Sequence, residues 1–303
     1  MNDAALGGDN TILRKSDCQR YTFAKQHATR IATNRDGDSL NGRALFAGQE
    51  HQTSASLGII RSGFGLAALG LTAMKGVTMS NKLAFLFDLD GTLVDSVYQH
   101  VLAWREALEG AGIELSVWRI HRRIGMSGGL LLNALLRETG HRVTPEEATR
   151  LQRLHAEAYA RLVYEVRPLP GARELLAYLS DQHVPWAIAT SGREESARPA
   201  LDVLGVPATA PIVTRDQVSH AKPDPDLFLA AAKRLGIDIS HAMVVGDSVW
   251  DLLAARRARA LSIGLLSGGY GQDELERAGA YRVYDDPADL LRHIDEVGVR
   301  PTV

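Results

Sequence analysis

The sequence predicts an α/β fold: a parallel sheet with helices on both faces and a small all-helical segment inserted after the first strand. Three observations predict it. Short apolar runs that lead into acidic or hydroxyl residues recur at Leu83–Phe87, Pro185–Ala189 and Met243–Val245, the pattern of buried strands that deliver polar groups at one edge of a sheet. From residue 172 onward such runs alternate with helical periodicity, as successive β–α units require. Between Ser116 and about Val166 there is no strand pattern, and Leu130–Leu132 and Leu135–Leu136 fall at helical spacing instead.

Taken in order, residues 1–78 hold nine Lys/Arg against six Asp/Glu, are rich in Gly, Asn, Ser and Thr, and lack sustained periodicity. They are expected to form a disordered extension, upstream of a translation start at Met79. An intact mass beginning at Met1 in protein made from the native gene would refute that start. After the first strand, Val101, Leu102, Trp104 and Leu108 mark a helix over Tyr98–Leu108. Thr144-Pro145-Glu146-Glu147 opens another that runs toward Val166, with a capping hydroxyl, a proline in the first turn and acids at the positive end of the helix dipole. Leu169-Pro170-Gly171 marks the return to the sheet. The spacing then predicts a helix over 172–181, a strand over 185–190, a helix over 193–204 that contains Pro199, and a short strand near 211–213. A helix over 224–235, a strand over 242–247, a helix over 249–258, a strand over 260–265 and a last pair near Tyr281 and Pro287–Val297 complete the pattern. The expected division is a core of 79–95 and 168–303 with a helical insert of 96–167.

Four segments carry chemistry. The first strand ends on Asp88-Leu89-Asp90-Gly91-Thr92, two carboxylates with a glycine that permits a sharp turn after them. Such a strand end is where open α/β sheets place ligands, although a solvated acidic loop would read the same in isolation. Ile188-Ala189-Thr190-Ser191-Gly192 ends on hydroxyls, which on its own is an ordinary helix cap. Ala221-Lys222-Pro223-Asp224-Pro225 sets a lysine before a helix start, and Met243-Val244-Val245-Gly246-Asp247-Ser248-Val249-Trp250-Asp251 ends a strand on acid, with Asp251 one helical turn beyond Asp247. Taken as plain structure, Asp90 would cap a turn, Asp247 would N-cap the next helix, and Asp251 would face its dipole.

In this order, over about 160 residues, the four motifs resemble those of the haloacid dehalogenase-like (HAD) hydrolases, helical-cap subfamily I, which includes phosphoglycolate phosphatases and β-phosphoglucomutases. The likeness runs from roughly Lys82 to the C-terminus. It implies a Rossmann-like core with the insert as a small cap, and phosphoryl transfer through an aspartyl-phosphate on Asp88. Asp90 would be the general acid, then the base that activates water; true dehalogenases, which attack carbon, lack an acid at that position. By the same likeness Thr190, Ser191 and Gly192 would hold phosphate oxygens through a hydroxyl and backbone amides. Lys222 would neutralise the nucleophile and the phosphoryl group. Mg2+ would be held by Asp88, Asp247 and the Asp90 carbonyl, with Asp251 binding the metal, its waters or Lys222. His100, in a segment like that of β-phosphoglucomutase, would contact the Asp90 side or the substrate, an ordinary helix-face histidine being the plain alternative.

Bulk properties narrow the field. A net charge of −2 argues against a general nucleic-acid binder. Cys18 is the one cysteine, which excludes an internal disulfide and fits a reducing cytoplasm. No apolar run approaches the roughly 18 residues of a membrane span, and Met1-Asn2-Asp3-Ala4 does not open a secretory signal. The expectation is a cytoplasmic Mg2+-dependent phosphatase, monomeric or weakly dimeric, acting on a small phosphorylated metabolite such as phosphoglycolate or a sugar phosphate. Mutases of the family carry an arginine in a Gly-Val-Ser-Arg cap loop; here Gly125-Met126-Ser127-Gly128 stands in its place, with Arg122 or Arg123 as candidate substitutes. Phosphonoacetaldehyde hydrolase needs a cap lysine, and 95–167 contains none. The reading from another class is a catalytically inert binding module of the same fold.

Overall fold

The computed structural model describes residues Lys82–Arg300; the expectations for 1–78 lie outside them. Six parallel strands form one sheet in the order β5-β4-β1-β6-β7-β8: β1 Ala84–Phe87, β4 Trp186–Ala189, β5 Ile212–Val213, β6 Ala242–Gly246, β7 Leu261–Leu265 and β8 Arg282–Tyr284. Strand β1 lies at the centre, in register with β4 (Phe85 opposite Trp186) and with β6 (Phe85 opposite Met243).

Period-two alternation divides the interior into two layers. Phe85, Phe87, Met243, Val245 and Ile263 point to one face, where α5 (Ala172–Asp181), α6 (Glu194–Leu204) and α10 (Pro287–Arg292) bring Leu175, Leu179, Leu201 and Leu290 against them. Ala84, Leu86, Ala187, Ala189 and Val244 point to the other, which is covered by Phe228 and Ala231 of α7 (Asp226–Leu235) and by Ala254 and Ala255 of α8 (Val249–Ala258). The small residues on that face let the two helices approach the sheet closely. Each fully buried Phe or Leu contributes roughly 1.5–3 kcal/mol of transfer free energy, so the strand positions that read as apolar in sequence also hold the fold together.

Between β1 and β4 the chain forms α1 (Val97–Glu109), α2 (Val117–His121), α3 (Gly128–Thr139) and α4 (Pro145–Leu162). They bury an apolar cluster of their own, centred on Val101, Trp104, Leu108, Leu132, Leu135 and Leu151. Thr144 caps α4 with its hydroxyl and Pro145 lies in the first turn, as expected; Glu147 also accepts from the Thr144 amide, which completes a reciprocal capping box. Two residues on each side, β2 (Val94–Asp95) and β3 (Arg167–Pro168), pair antiparallel and bring the two ends of the insert together. Helix α6 continues through Pro199, because Ala197, Ala200, Leu201 and Leu204 remain packed on the sheet despite the missing N–H. The expected final helix divides into α10 and a 3-10 turn over Ile294–Val297. The chain also forms α9 (Gln272–Ala278), which the periodicity did not indicate because few of its residues are buried.

Candidate active site

The chain winds outward from β1 through β4 to β5, then returns to β6 and winds the other way, so the C-terminal ends of β1 and β6 flank the point where the winding reverses. Open α/β sheets have a crevice there. Asp88 follows β1 and Asp247 follows β6, and the Asp88 amide donates to the Val245 carbonyl at 2.9 Å, which fixes both ends together. Gly91 turns the chain at φ +83°, and a Cβ there would lie 2.5 Å from Asp247 Oδ2. A Cβ on Gly268 would lie 1.8 Å from the same oxygen. Bare backbone on two sides makes the slot that Asp247 occupies.

Lys222 is fully buried, with its ammonium on Asp88 Oδ1 and 2.8 Å from Asp251 Oδ1. Its Nζ stands 5.2 Å from the centre of the Phe228 ring. Asp251 uses its other oxygen to accept from the Ser248 amide (3.1 Å) and hydroxyl. The cap of α8 is therefore Ser248, paired with Asp251, and not Asp247. Asp247 Oδ1 instead accepts from the buried Thr92 hydroxyl at 2.8 Å. Oxygens of Asp88, Asp247 and Asp251 lie within 4.8 Å of one another.

Three buried carboxylates thus share one ammonium. Burial, with the repulsion of Asp251 and Asp90, pushes Asp88 up to about 7, although Lys222 works against the shift. Burial and the charges of Asp251 and Asp88 lift Asp247 well above the usual carboxylate range. Burial alone would lower Lys222, but the two carboxylates it touches outweigh that and keep it charged. The excess negative charge on hard oxygens fits a divalent cation such as Mg2+, whose charge would offset it.

The linkage has a definite sign. A raised carboxylate binds more protons in the folded chain than in the unfolded one, so the stability from Asp88 is present below about pH 4 and is lost as pH rises through about 7, and the contribution of Asp247 has the same sign. Mg2+ bound at these carboxylates would compete with those protons. We expect saturating Mg2+ to raise the melting temperature by roughly 5 °C or more near pH 8 and by much less near pH 5.5. Equal shifts in thermal melts at the two pH values would mean that the ion does not bind at these carboxylates.

Asp90 faces the opening. Its Oδ1 accepts from the Ser96 hydroxyl at 2.6 Å and stands 3.2 Å from His100 Nε2. Burial acts to raise it, but His100 and Ser96 outweigh that and hold Asp90 below the usual carboxylate range. Thr190 is buried at the end of β4. The Gly192 amide donates to Thr190 Oγ1 at 2.9 Å across the turn before α6, and Gly192 lines the cavity described below. Ser191 donates its hydroxyl to the Gly125 carbonyl of the insert at 2.9 Å.

A cavity of about 340 Å³ lies between the strand ends and the insert, with Asp88, Asp90, Thr190, Ser191 and Gly192 on one side and His100, Trp104, Ser127, Gln152 and His155 on the other. Other contacts join the insert to the sheet domain: His121 Nε2 lies 2.9 Å from the Gly268 carbonyl, and Tyr270 donates to the Arg122 carbonyl at 3.0 Å. Neither Arg122 nor Arg123 lines the cavity. Arg122 pairs with Glu274 and Arg123 with Glu138, so the suggested substitutes for the mutase arginine are engaged elsewhere. Leu131, Leu132, Leu135 and Leu136 are buried, as packing residues should be.

The strand-end acids, the buried lysine and the inserted helices define a hydrolase of the α/β class, and comparison with known proteins identifies the family. Residues 83–259 match the haloacid dehalogenase-like hydrolase family, and the chain belongs to it. A solved hydrolase from Pseudomonas syringae is 57% identical, with a TM-score of 0.71, covering 72% of this chain and all of that one. Hexitol phosphatase A of Escherichia coli (strain K12) is 34% identical over 57% of this chain and 78% of its own. A phosphoglycolate phosphatase of Agrobacterium fabrum is 32% identical over 60% and 80% respectively. No helix among the described residues is long and apolar enough to cross a membrane.

Proposed function

We propose that the protein is a Mg2+-dependent phosphatase that hydrolyses small phosphate monoesters, sugar or polyol phosphates ahead of phosphoglycolate, through an aspartyl-phosphate on Asp88. The observation that carries this is the placement of Asp88, bound to a buried lysine, next to a second carboxylate, Asp90, at the mouth of one cavity. Asp88 attacks phosphorus and the bond to the leaving alcohol oxygen breaks as Asp90 delivers a proton to it. Asp90 must carry that proton for this step against the preference that His100 and Ser96 give to its ionised form. Asp90 then removes a proton from water, which attacks the acyl phosphate, releases inorganic phosphate and restores Asp88. Lys222 offsets charge on the nucleophile, and Thr190 and the Ser191 backbone orient the phosphoryl oxygens. Asp88, Asp247 and the Asp90 carbonyl would hold Mg2+, which when bound supplies positive charge beside the phosphoryl group. Asp251, with Lys222 on one oxygen and Ser248 on the other, is assigned to hold the lysine. The insert acts as a cap that opens about 94–96 and 167–171 and excludes water when closed.

The preference for neutral leaving groups rests on the insert side of the cavity, which contributes no arginine or lysine among the described residues. A second phosphate, or the carboxylate of phosphoglycolate, would meet no cation on that side. Of the arginines that line the cavity from the sheet side, Arg193 pairs with Asp216 and Arg215 donates to the Val218 and Ser219 carbonyls. Phosphate release from hexitol, hexose and glycolate phosphates, with Mg2+ or EDTA, tests the reading. We expect Mg2+-dependent turnover, fastest on the polyol or sugar esters. Phosphoglycolate as the best substrate would overturn the preference, and no release from any ester would overturn the phosphatase.

A further inference from the structure

We propose that His155, on α4, is a positioning residue for Asp90, acting through the ring of His100. The inference rests on the role given to Asp90 above and extends it to a residue 55 positions along the chain from His100.

The two hydrogen-bonding contacts of the Asp90 side chain, with Ser96 and with His100, both fall on Oδ1, which leaves Oδ2 for the cavity. His100 meets that oxygen through Nε2 at 3.2 Å, and its Nδ1 stands 3.2 Å from Nε2 of His155. A neutral imidazole carries one N–H and one lone pair. To donate to the Asp90 carboxylate, His100 must hold its hydrogen on Nε2, and Nδ1 is then an acceptor within a partly buried site. His155 supplies the donor. Without it, His100 Nδ1 would keep a lone pair with no donor in a partly buried site, and the tautomer that serves Asp90 would rest on the carboxylate alone.

The surroundings keep His155 suited to this task. Its ring stacks on Trp104 with centroids 4.2 Å apart, and the His100 ring stacks on Tyr159 at 3.9 Å, so both imidazoles are held in plane. Burial holds His155 well below the ordinary imidazole range, so it stays neutral with a single N–H to offer. Leu151, His155 and Tyr159 share one helical face, with Gln152 beside His155 at the cavity. A histidine there, whose hydrogen-bonding partner among the described residues is another histidine, is placed to direct His100.

Two variants and two substrates test it. His155→Phe keeps a ring against Trp104 and removes the N–H; His155→Gln returns an amide to the same place. The substrates are the alkyl phosphate that the wild type turns over fastest, whose leaving oxygen needs a proton, and acetyl phosphate, whose acetate leaves without one. We expect His155→Phe to lower kcat/KM on the alkyl ester about tenfold to a hundredfold, part of the usual worth of a general acid. On acetyl phosphate kcat/KM should change less than about twofold, and His155→Gln should recover most of the alkyl-ester loss. Equal losses on both substrates would reduce His155 to a packing residue, and no loss on either would remove it from the reaction. The ring nitrogen-15 spectrum gives a readout that does not need turnover. His100 should hold its hydrogen on Nε2 in the wild type and His155→Gln, and become mixed in His155→Phe. An unchanged His100 tautomer in all three would overturn the proposal, whereas a wild type that hydrolyses no ester overturns the phosphatase reading instead.

Discussion

Replacing Asp88 with asparagine is expected to lower phosphate release by about 10,000-fold or more, the scale seen when an enzyme loses its nucleophile. The amide is nearly isosteric, so the pocket geometry remains, but its lone pairs are too weakly basic to attack phosphorus. The fold should not suffer. In the wild type the ionised Asp88 is disfavoured by burial enough to lift it to about 7. A neutral side chain avoids that penalty, and the variant should be at least as stable as the wild type near pH 8 without metal. Thermal melts and rate assays on the same preparations separate lost chemistry from lost structure. Acid-quenched wild type should also carry phosphate on the peptide that contains Asp88. A folded variant that keeps more than about one per cent of the rate would remove Asp88 from the nucleophile's role.

That residue, like most of the carboxylate site, was legible in the sequence for a local reason. Asp88, Asp90, Asp247 and Asp251 each sit within a few residues of a strand whose apolar run marks its own end. The parallel sheet then places all such ends on one edge. Lys222 was legible by its motif, though its complete burial was not. His155 and Tyr159 were not legible, because their significance comes from α4 packing on α1 and from nothing adjacent in sequence. Their spacing of four, one turn after Leu151, was a signal: a polar ring on the apolar face of a helix. Thr92 and Ser248 were likewise concealed, since hydroxyls near turns have many plain uses and only the fold sets them against Asp247 and Asp251. The strands β2 and β3 hold two residues each, too few for any alternation to register.

Replacing Lys222 with methionine should have the largest effect on stability of any single change at the site. The side chain keeps similar length and its contact with Phe228, but it leaves the buried Asp88 and Asp251 without their cation. Breaking a buried ion pair from one side costs about 3–5 kcal/mol, a large share of the roughly 5–15 kcal/mol that a typical domain has. The loss should depend on pH. Lys222 is among the groups that lower Asp88, so its removal moves that carboxyl further above about 7. The deficit is therefore greatest above neutrality, where Asp88 must ionise, and shrinks toward pH 5.5, where the folded variant holds the proton. Adding Asp88→Asn to Lys222→Met should return part of the lost stability near pH 8, because one of the stranded charges is gone, and such non-additivity identifies a direct interaction. Turnover should fall as well, by about a hundredfold to a thousandfold, the usual effect of removing one electrostatic partner of a transition state. Denaturant melts of the wild type, both single variants and the double variant at the two pH values decide the matter. A deficit that is the same at both, with strictly additive variants, would show that Lys222 fills space at the end of β1 and does not serve as its counter-charge.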